Sequence, residues 1–173
     1  MVRIALTGGI GTGKTHLSKH FVEMGIPVFY ADEEAKKLYS EPEVIRFFSS
    51  TFGDVVISDG KIDFKKLSSL IFSDENARIR VNQYIHPLLF ERFYQWEEKQ
   101  KCNIIMMESA IVFEAGLEHH FDKIIVVDSS MEVRLERIRK KYPHWSDEEI
   151  QKRIATQLPQ EEKCMRADLI LKN

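Results

Sequence analysis

Only two cysteines occur in the 173 residues, Cys102 and Cys164. They lie far apart, with no Cys-x-x-Cys and no Cys/His cluster of zinc-ligand spacing, so they read as reduced packing residues. Charge of one sign is equally lacking. With 25 Lys and Arg against 27 Asp and Glu, the net charge is −2 with His neutral, and no global basic field points to a nucleic-acid partner. Any anion binding must be local. Long apolar runs are missing too: the start of the chain is apolar only from Ile4 to Leu6 before glycines interrupt it, too short for a signal peptide or a membrane span. A cytoplasmic protein without a membrane partner is expected. No Asn-Lys-x-Asp base-reading motif occurs, which argues against a GTPase. No repeat, low-complexity tract or linker divides the chain.

What remains is an ordinary globular composition, 43% hydrophobic and 30% charged, in a chain long enough for one well-buried domain and too short for two complete ones. The chain is organised around its first fifteen residues. An apolar run, Val2 to Leu6, leads into Thr7-Gly8-Gly9-Ile10-Gly11-Thr12-Gly13-Lys14-Thr15, and Leu17, Phe21 and Met24 then recur at helical period before Gly25 and Pro27. Gly8, four residues, Gly13, Lys14 and Thr15 fit the Walker A pattern in its confirming context, strand before and helix after. A triphosphate must be met by many donors at close range, and glycines let the backbone approach. The expected nucleotide cradle comprises Gly9, Gly11, Thr12, Gly13, Lys14, Thr15 and His16, with the helix N-terminus adding its positive dipole end. Lys14 is expected on the β- and γ-phosphates and Thr15 on a magnesium ion.

Further apolar runs predict more strands: Pro27 to Tyr30, Asn103 to Glu108, one within Phe121 to Asp128, and a short one within Arg166 to Asn173. Asp32 follows the first of them. It reads either as a helix N-cap or as a functional carboxylate at the edge where parallel α/β sheets bind ligands. Glu108 closes a run buried on both faces, where a Walker B acid would hold magnesium; a cap or an ion-pair partner is the alternative. Glu114 lies beyond it.

Between the first and second of these runs, about residues 32–101, the pattern is helical and no strand is expected. Asp63 offers an N-cap, Asp59-Gly60 a turn, and a long helix from Ser73-Asp74 toward Lys101 is expected to be interrupted at Pro87. This insertion reads as a substrate-binding flap. Near the other end, Ser129 and Ser130 can cap a helix carrying Arg134, Arg137 and Lys141 at i, i+3, i+7, and Ser146 to Glu149 forms a capping box for another with Ile150, Ile154 and Leu158 on one face. Residues 134–158 read as a helical lid, whose cations would steady a transferring phosphoryl group, or as a solvated basic face.

Taken in order, the phosphate loop, Ala31-Asp32, Asp59-Gly60, Leu67 with Phe72, Ile85-His86-Pro87, Phe113-Glu114, Arg153-Ile154, Gln157, and Ala167-Asp168 with Asn173 resemble the dephospho-CoA kinase family over nearly the whole chain. The resemblance implies an α/β fold with a five-stranded parallel P-loop kinase core, a helical CoA-binding insertion and a helical lid. It implies ATP, magnesium and the small-molecule acceptor dephospho-CoA, phosphorylated at its ribose 3′-hydroxyl. Asp32 matches the catalytic aspartate; Lys14 and Arg137 would act on the phosphoryl group with Lys141 on the nucleotide, and Lys36 and His86 would meet the acceptor.

The chain departs from that pattern at several positions. Tyr30 stands where the family has an aspartate, Lys36 where it has arginine or histidine, Phe64 for an arginine, Ala110 for a proline, and Lys141 for a lid arginine. Another small-molecule kinase of this fold, or a nucleotide-binding regulator without an acceptor site, remains open on sequence alone.

Overall fold

The short apolar runs form strands because β-branched and long apolar side chains fill both faces of a sheet covered by helices. The computed structural model describes all 173 residues. Two units divide them, residues 1–30 with 99–173, and residues 31–98. The chain begins with β1 (Val2–Thr7), α1 (Lys14–Glu23) and β2 (Val28–Tyr30). It continues through α2 (Ala31–Leu38), α3 (Pro42–Phe52), β3 (Ile57–Ser58), β4 (Lys61–Ile62), α4 (Phe64–Ser73) and α5 (Glu75–Glu97). Then come β5 (Ile104–Glu108), β6 (Lys123–Asp128), α6 (Met131–Lys141), α7 (Asp147–Ala155), α8 (Gln160–Met165) and β7 (Leu169–Lys172).

In the first unit the strand order is β2-β5-β1-β6-β7, every pair parallel. Register aligns the carboxyl ends: Glu108 is opposite both Leu6 and Tyr30, and Leu6 opposite Ile125. The loop that leaves β1 therefore starts beside Glu108, at the edge where parallel sheets bind ligands. Leu6, Met106, Ile125 and Val127 form a buried layer against which Leu17 and Phe21 of α1 pack. Met24 does not join that face: it is 73% exposed, because α1 has already ended at Glu23. Ser130, rather than Ser129, caps α6, and Ser146 caps α7 by accepting the Glu149 N–H at 3.1 Å.

Two expectations for this part need correction. Leu158 lies beyond α7, which ends at Ala155, and a further short helix, α8, follows Pro159. Its six residues are too few to display an apolar period, although a proline followed by Glu161 and Glu162 is a helix-start signal.

The second unit is helical with one exception. Ile57–Ser58 and Lys61–Ile62 pair antiparallel about Asp59-Gly60, a small hairpin where no strand was expected; two-residue strands carry no readable alternation. Asp63 caps α4 by accepting from the N–H groups of Lys65 and Lys66, and Asp74 caps α5. Pro87 does not interrupt α5, which runs unbroken from Glu75 to Glu97. A mid-helix proline removes one donor and crowds the preceding turn, but Val81, Ile85, Leu89, Phe90 and Phe93 are all buried on either side and hold the helix through that defect.

Candidate functional site

The phosphate loop takes the shape its glycines permit. Gly13, at φ 92°, turns the chain into α1 as its N-cap, a left-handed conformation that L side chains rarely adopt. Lys14, 8% exposed, folds back over the loop, its ammonium donating to the carbonyls of Gly8 at 2.8 Å and Gly9 at 3.2 Å. The Thr12 hydroxyl donates to the Gly9 carbonyl at 2.9 Å.

The glycines also serve contacts on the loop from other parts of the chain. A Cβ on Gly13 would fall 2.0 Å from Asn173 Nδ2, and one on Gly9 would fall 2.5 Å from Arg134 Nη2. Arg134, 4% exposed, donates from Nε to the Ile10 carbonyl at 2.9 Å. Burial lowers its pKa, and the Asp128 carboxylate opposes that shift. Ser129 Oγ donates to the carbonyl of Thr12 at 3.1 Å or of Asn173 at 2.6 Å, and Asn173 Nδ2 donates to Thr12 O at 3.0 Å. Gly9 N–H and Ile10 N–H donate to Gln160 Oε1 and Gln157 Oε1, at 2.9 and 2.7 Å. The contacts on the loop were not legible in the sequence, since each joins positions more than a hundred residues apart; Ser129, Arg134, Gln157 and Asn173 were named there for other reasons, and Gln160 not at all.

The expected basic stripe is corrected. Arg134 is buried against the loop, and only Lys141 is exposed, with its ammonium 5.4 Å from the centre of the Tyr142 ring. Arg137 is half-buried, and its Nη1 donates to Thr12 O at 3.2 Å and Ser129 Oγ at 3.1 Å. It thus belongs with the groups that touch the loop's carbonyls.

Thr15 and Glu108 lie side by side, with Thr15 Oγ 3.4 Å from Glu108 Oε2. No three His, Cys, Asp or Glu side chains cluster anywhere to cage a metal. One hydroxyl and one carboxylate nevertheless suit magnesium, a hard cation that takes few protein oxygens and completes its shell with water and substrate phosphates. Tyr30, opposite Glu108 in the sheet, is 3.3 Å from Ser18 Oγ through its hydroxyl, so the departure there is absorbed by packing on α1. His16 is exposed, its Nε2 3.4 Å from His20 Nε2.

The remaining candidates lie in the 31–98 unit. Asp32 is exposed and is the second residue of α2, inside the helix rather than at its cap. Lys36 is exposed in the last turn of the same helix. His86 is half-buried in α5, and burial lowers its pKa, so the ring is neutral at neutral pH.

Comparison with known proteins decides the lineage. The sequence profile of the dephospho-CoA kinase family, CoaE, matches residues 2–173. The chain belongs to that family. Among relatives, it is 38% identical to a dephospho-CoA kinase of Bacteroides fragilis over 174 residues, 99% of this chain and 84% of the relative. A Fusobacterium nucleatum dephospho-CoA kinase is 35% identical over 171 residues, 98% of this chain and 88% of that one. The solved structure of TT1252 from Thermus thermophilus superposes with a TM-score of 0.91 at 27% identity, covering 99% of this chain and 88% of that one. The Campylobacter jejuni dephospho-CoA kinase gives 0.64 at 26%, covering 99% and 87%. A shikimate kinase from Acinetobacter baumannii, at 14% identity and 0.52, shares the P-loop kinase fold alone.

As a dephospho-CoA kinase family member, the chain is a kinase with ATP as phosphoryl donor. Its loop glycines and Lys14 lie on the turn from β1 into α1, and no helix is long and apolar enough to cross a membrane.

Proposed function

We propose that this chain transfers the γ-phosphoryl group of ATP to the ribose 3′-hydroxyl of dephospho-CoA, giving CoA and ADP. The observation that carries the reading is family membership over residues 2–173 joined to an intact phosphate loop whose lysine lies over the loop's mouth. Lys14 would move from the carbonyls of Gly8 and Gly9 to the β- and γ-phosphates, exchanging neutral acceptors for anionic ones and so forming stronger bonds. The loop N–H groups that no side chain takes, among them those of Gly11 and Gly13, would face the phosphates.

Asp32 is proposed to orient the acceptor hydroxyl and take its proton as the oxygen–phosphorus bond forms and the bond to the bridging oxygen of ADP breaks. In a loose transition state this proton leaves late, so an ordinary exposed carboxylate suffices. Arg137 is proposed to stabilise charge on the transferring group, and Lys141 to add a mobile cation at the nucleotide. Lys36 and His86 are proposed to meet dephospho-CoA. Thr15 and Glu108 would hold Mg²⁺, whose chemistry is to neutralise charge across the β- and γ-phosphate oxygens. Two free, well-separated cysteines suit a reducing cytoplasm.

The test is an acceptor panel. Dephospho-CoA, AMP, CMP, adenosine and shikimate are each incubated with ATP and magnesium, and the products are read by mass spectrometry. Dephospho-CoA should be phosphorylated in preference to the rest. A win by another acceptor would move the chain to a different kinase specificity, and no product from any of them would favour a nucleotide-binding regulator.

A further inference from the structure

We propose that Gln157 and Gln160 are positioning residues for the nucleotide, fixing the first half of the phosphate loop so that its second half is presented to phosphates. The proposal rests on the kinase reading above. Each glutamine offers one amide oxygen to one loop N–H: Gln157 to Ile10 at 2.7 Å and Gln160 to Gly9 at 2.9 Å. Gln160 also donates from Nε2 to the Val127 carbonyl at 2.9 Å, so one side chain bridges the loop after β1 and the adjacent strand β6. The loop N–H groups are used unequally. Side chains take those of Gly9 and Ile10 and the Gly9 carbonyl accepts that of Thr12 at 3.3 Å, whereas those of Gly11 and Gly13 have no partner within the chain.

Why the glutamines can hold their aim follows from what holds them. They flank Leu158, whose N–H donates to Glu114 Oε1 at 2.9 Å. The same oxygen accepts the ammonium of Lys163 at 2.6 Å, and that ammonium also donates to the Ala110 carbonyl at 2.8 Å. Lys163 is fully buried; burial lowers its pKa while Glu114 holds the charge in place. A buried ion pair is a poor source of stability, and Glu114 Oε2 has no partner; it is Oε1 that joins the Leu158 N–H to the Lys163 ammonium. Here it pins residues 157–163 to the loop that follows β5. Glutamine side chains lose considerable rotamer freedom when ordered, and two of them are ordered here on consecutive N–H groups of the nucleotide loop. Glu114 thereby gains a task that its place in the sequence left open.

The experiment compares Gln157→Met and Gln160→Met, which keep side-chain length and remove the accepting oxygen, with Gln157→Glu, which retains an acceptor. ADP affinity is measured by calorimetry, exchange of the Gly9 and Ile10 amides by NMR, and KM for ATP and for dephospho-CoA by steady-state rates. Each methionine variant should weaken ADP binding by roughly fivefold to tenfold, the scale of one hydrogen bond. The corresponding amide should exchange faster, and KM for dephospho-CoA should stay within about twofold. Gln157→Glu should restore protection of the Ile10 amide. ADP affinity unchanged in both methionine variants, or KM values for both substrates rising together, overturns the proposal and leaves the glutamines as structural residues. Failure of the wild type to phosphorylate dephospho-CoA while ADP still binds would sink the acceptor assignment alone, since the calorimetric arm needs no acceptor.

Discussion

Around the phosphate loop, polar side chains reach from positions 117 to 161 residues away to bond the backbone of residues 9–12, whereas the 31–98 unit is held by rings packed between its helices. There Phe47 stacks on Tyr84 at 3.6 Å between centroids, and buried Phe48 meets Tyr39 and Phe52 edge-on or tilted. Hydrogen bonds are directional and fix a backbone within tenths of an ångström; apolar contact is non-directional and tolerates adjustment. The loop is therefore held in one geometry, suited to the triphosphate proposed to bind there. The helical unit is built mainly from packed area, with Arg92 paired to Glu34 and Glu41 beside it, which fits the acceptor-binding role proposed for it.

Changes on the loop side should have the largest effects. Lys14→Ala removes the charge proposed for the β- and γ-phosphates and should lower kcat by on the order of 10³, with the fold retained by circular dichroism. Turnover near the wild-type value would take Lys14 out of the mechanism. Asp32→Asn keeps shape and helix position, so ADP affinity should hold while turnover falls by about 10² or more. Near-normal rates in that variant would return Asp32 to a role in the helix alone.

Phe48→Ala sharpens the comparison from the other side. Deleting a ring that is 0% exposed should cost about 3–5 kcal/mol, read as a lower urea midpoint. ADP affinity of the folded fraction should nevertheless remain within about twofold, because the groups gripping the loop belong to the other unit. A parallel loss of ADP affinity would show that the two regions are not held independently.

The smallest effect concerns His86. Its folded pKa lies below the unfolded value of 6.5, so the unfolded chain binds more protons between the two. Stability contributed by the neutral ring is thus fully present above pH 6.5 and declines as pH falls toward the folded pKa. His86→Gln should flatten the loss of thermal stability on acidification, and an unchanged pH profile would mean that the ring is not protonated differently on folding.

What could be read from the sequence was local. Gly8 to Thr15 and the capping residues Asp63, Ser130 and Ser146 declare themselves within a few positions, and the β5 and β6 strands are unbroken apolar runs. The hairpin at 57–62 and α8 were too short to show a period. Pro87 misled because a local rule was overridden by burial of Ile85, Leu89 and Phe90 around it. The loop contacts of Arg134, Gln160 and Asn173 were invisible for another reason: their partners are backbone atoms of residues 9–12, and no pattern in their own neighbourhoods encodes that meeting.

The division of labour between the two regions is tested most directly by steady-state kinetics of His86→Ala with both substrates varied. The account predicts a KM for dephospho-CoA raised several-fold, on the scale of one lost polar contact, with the KM for ATP nearly unchanged. An ATP KM that rises as much as that of dephospho-CoA would contradict it.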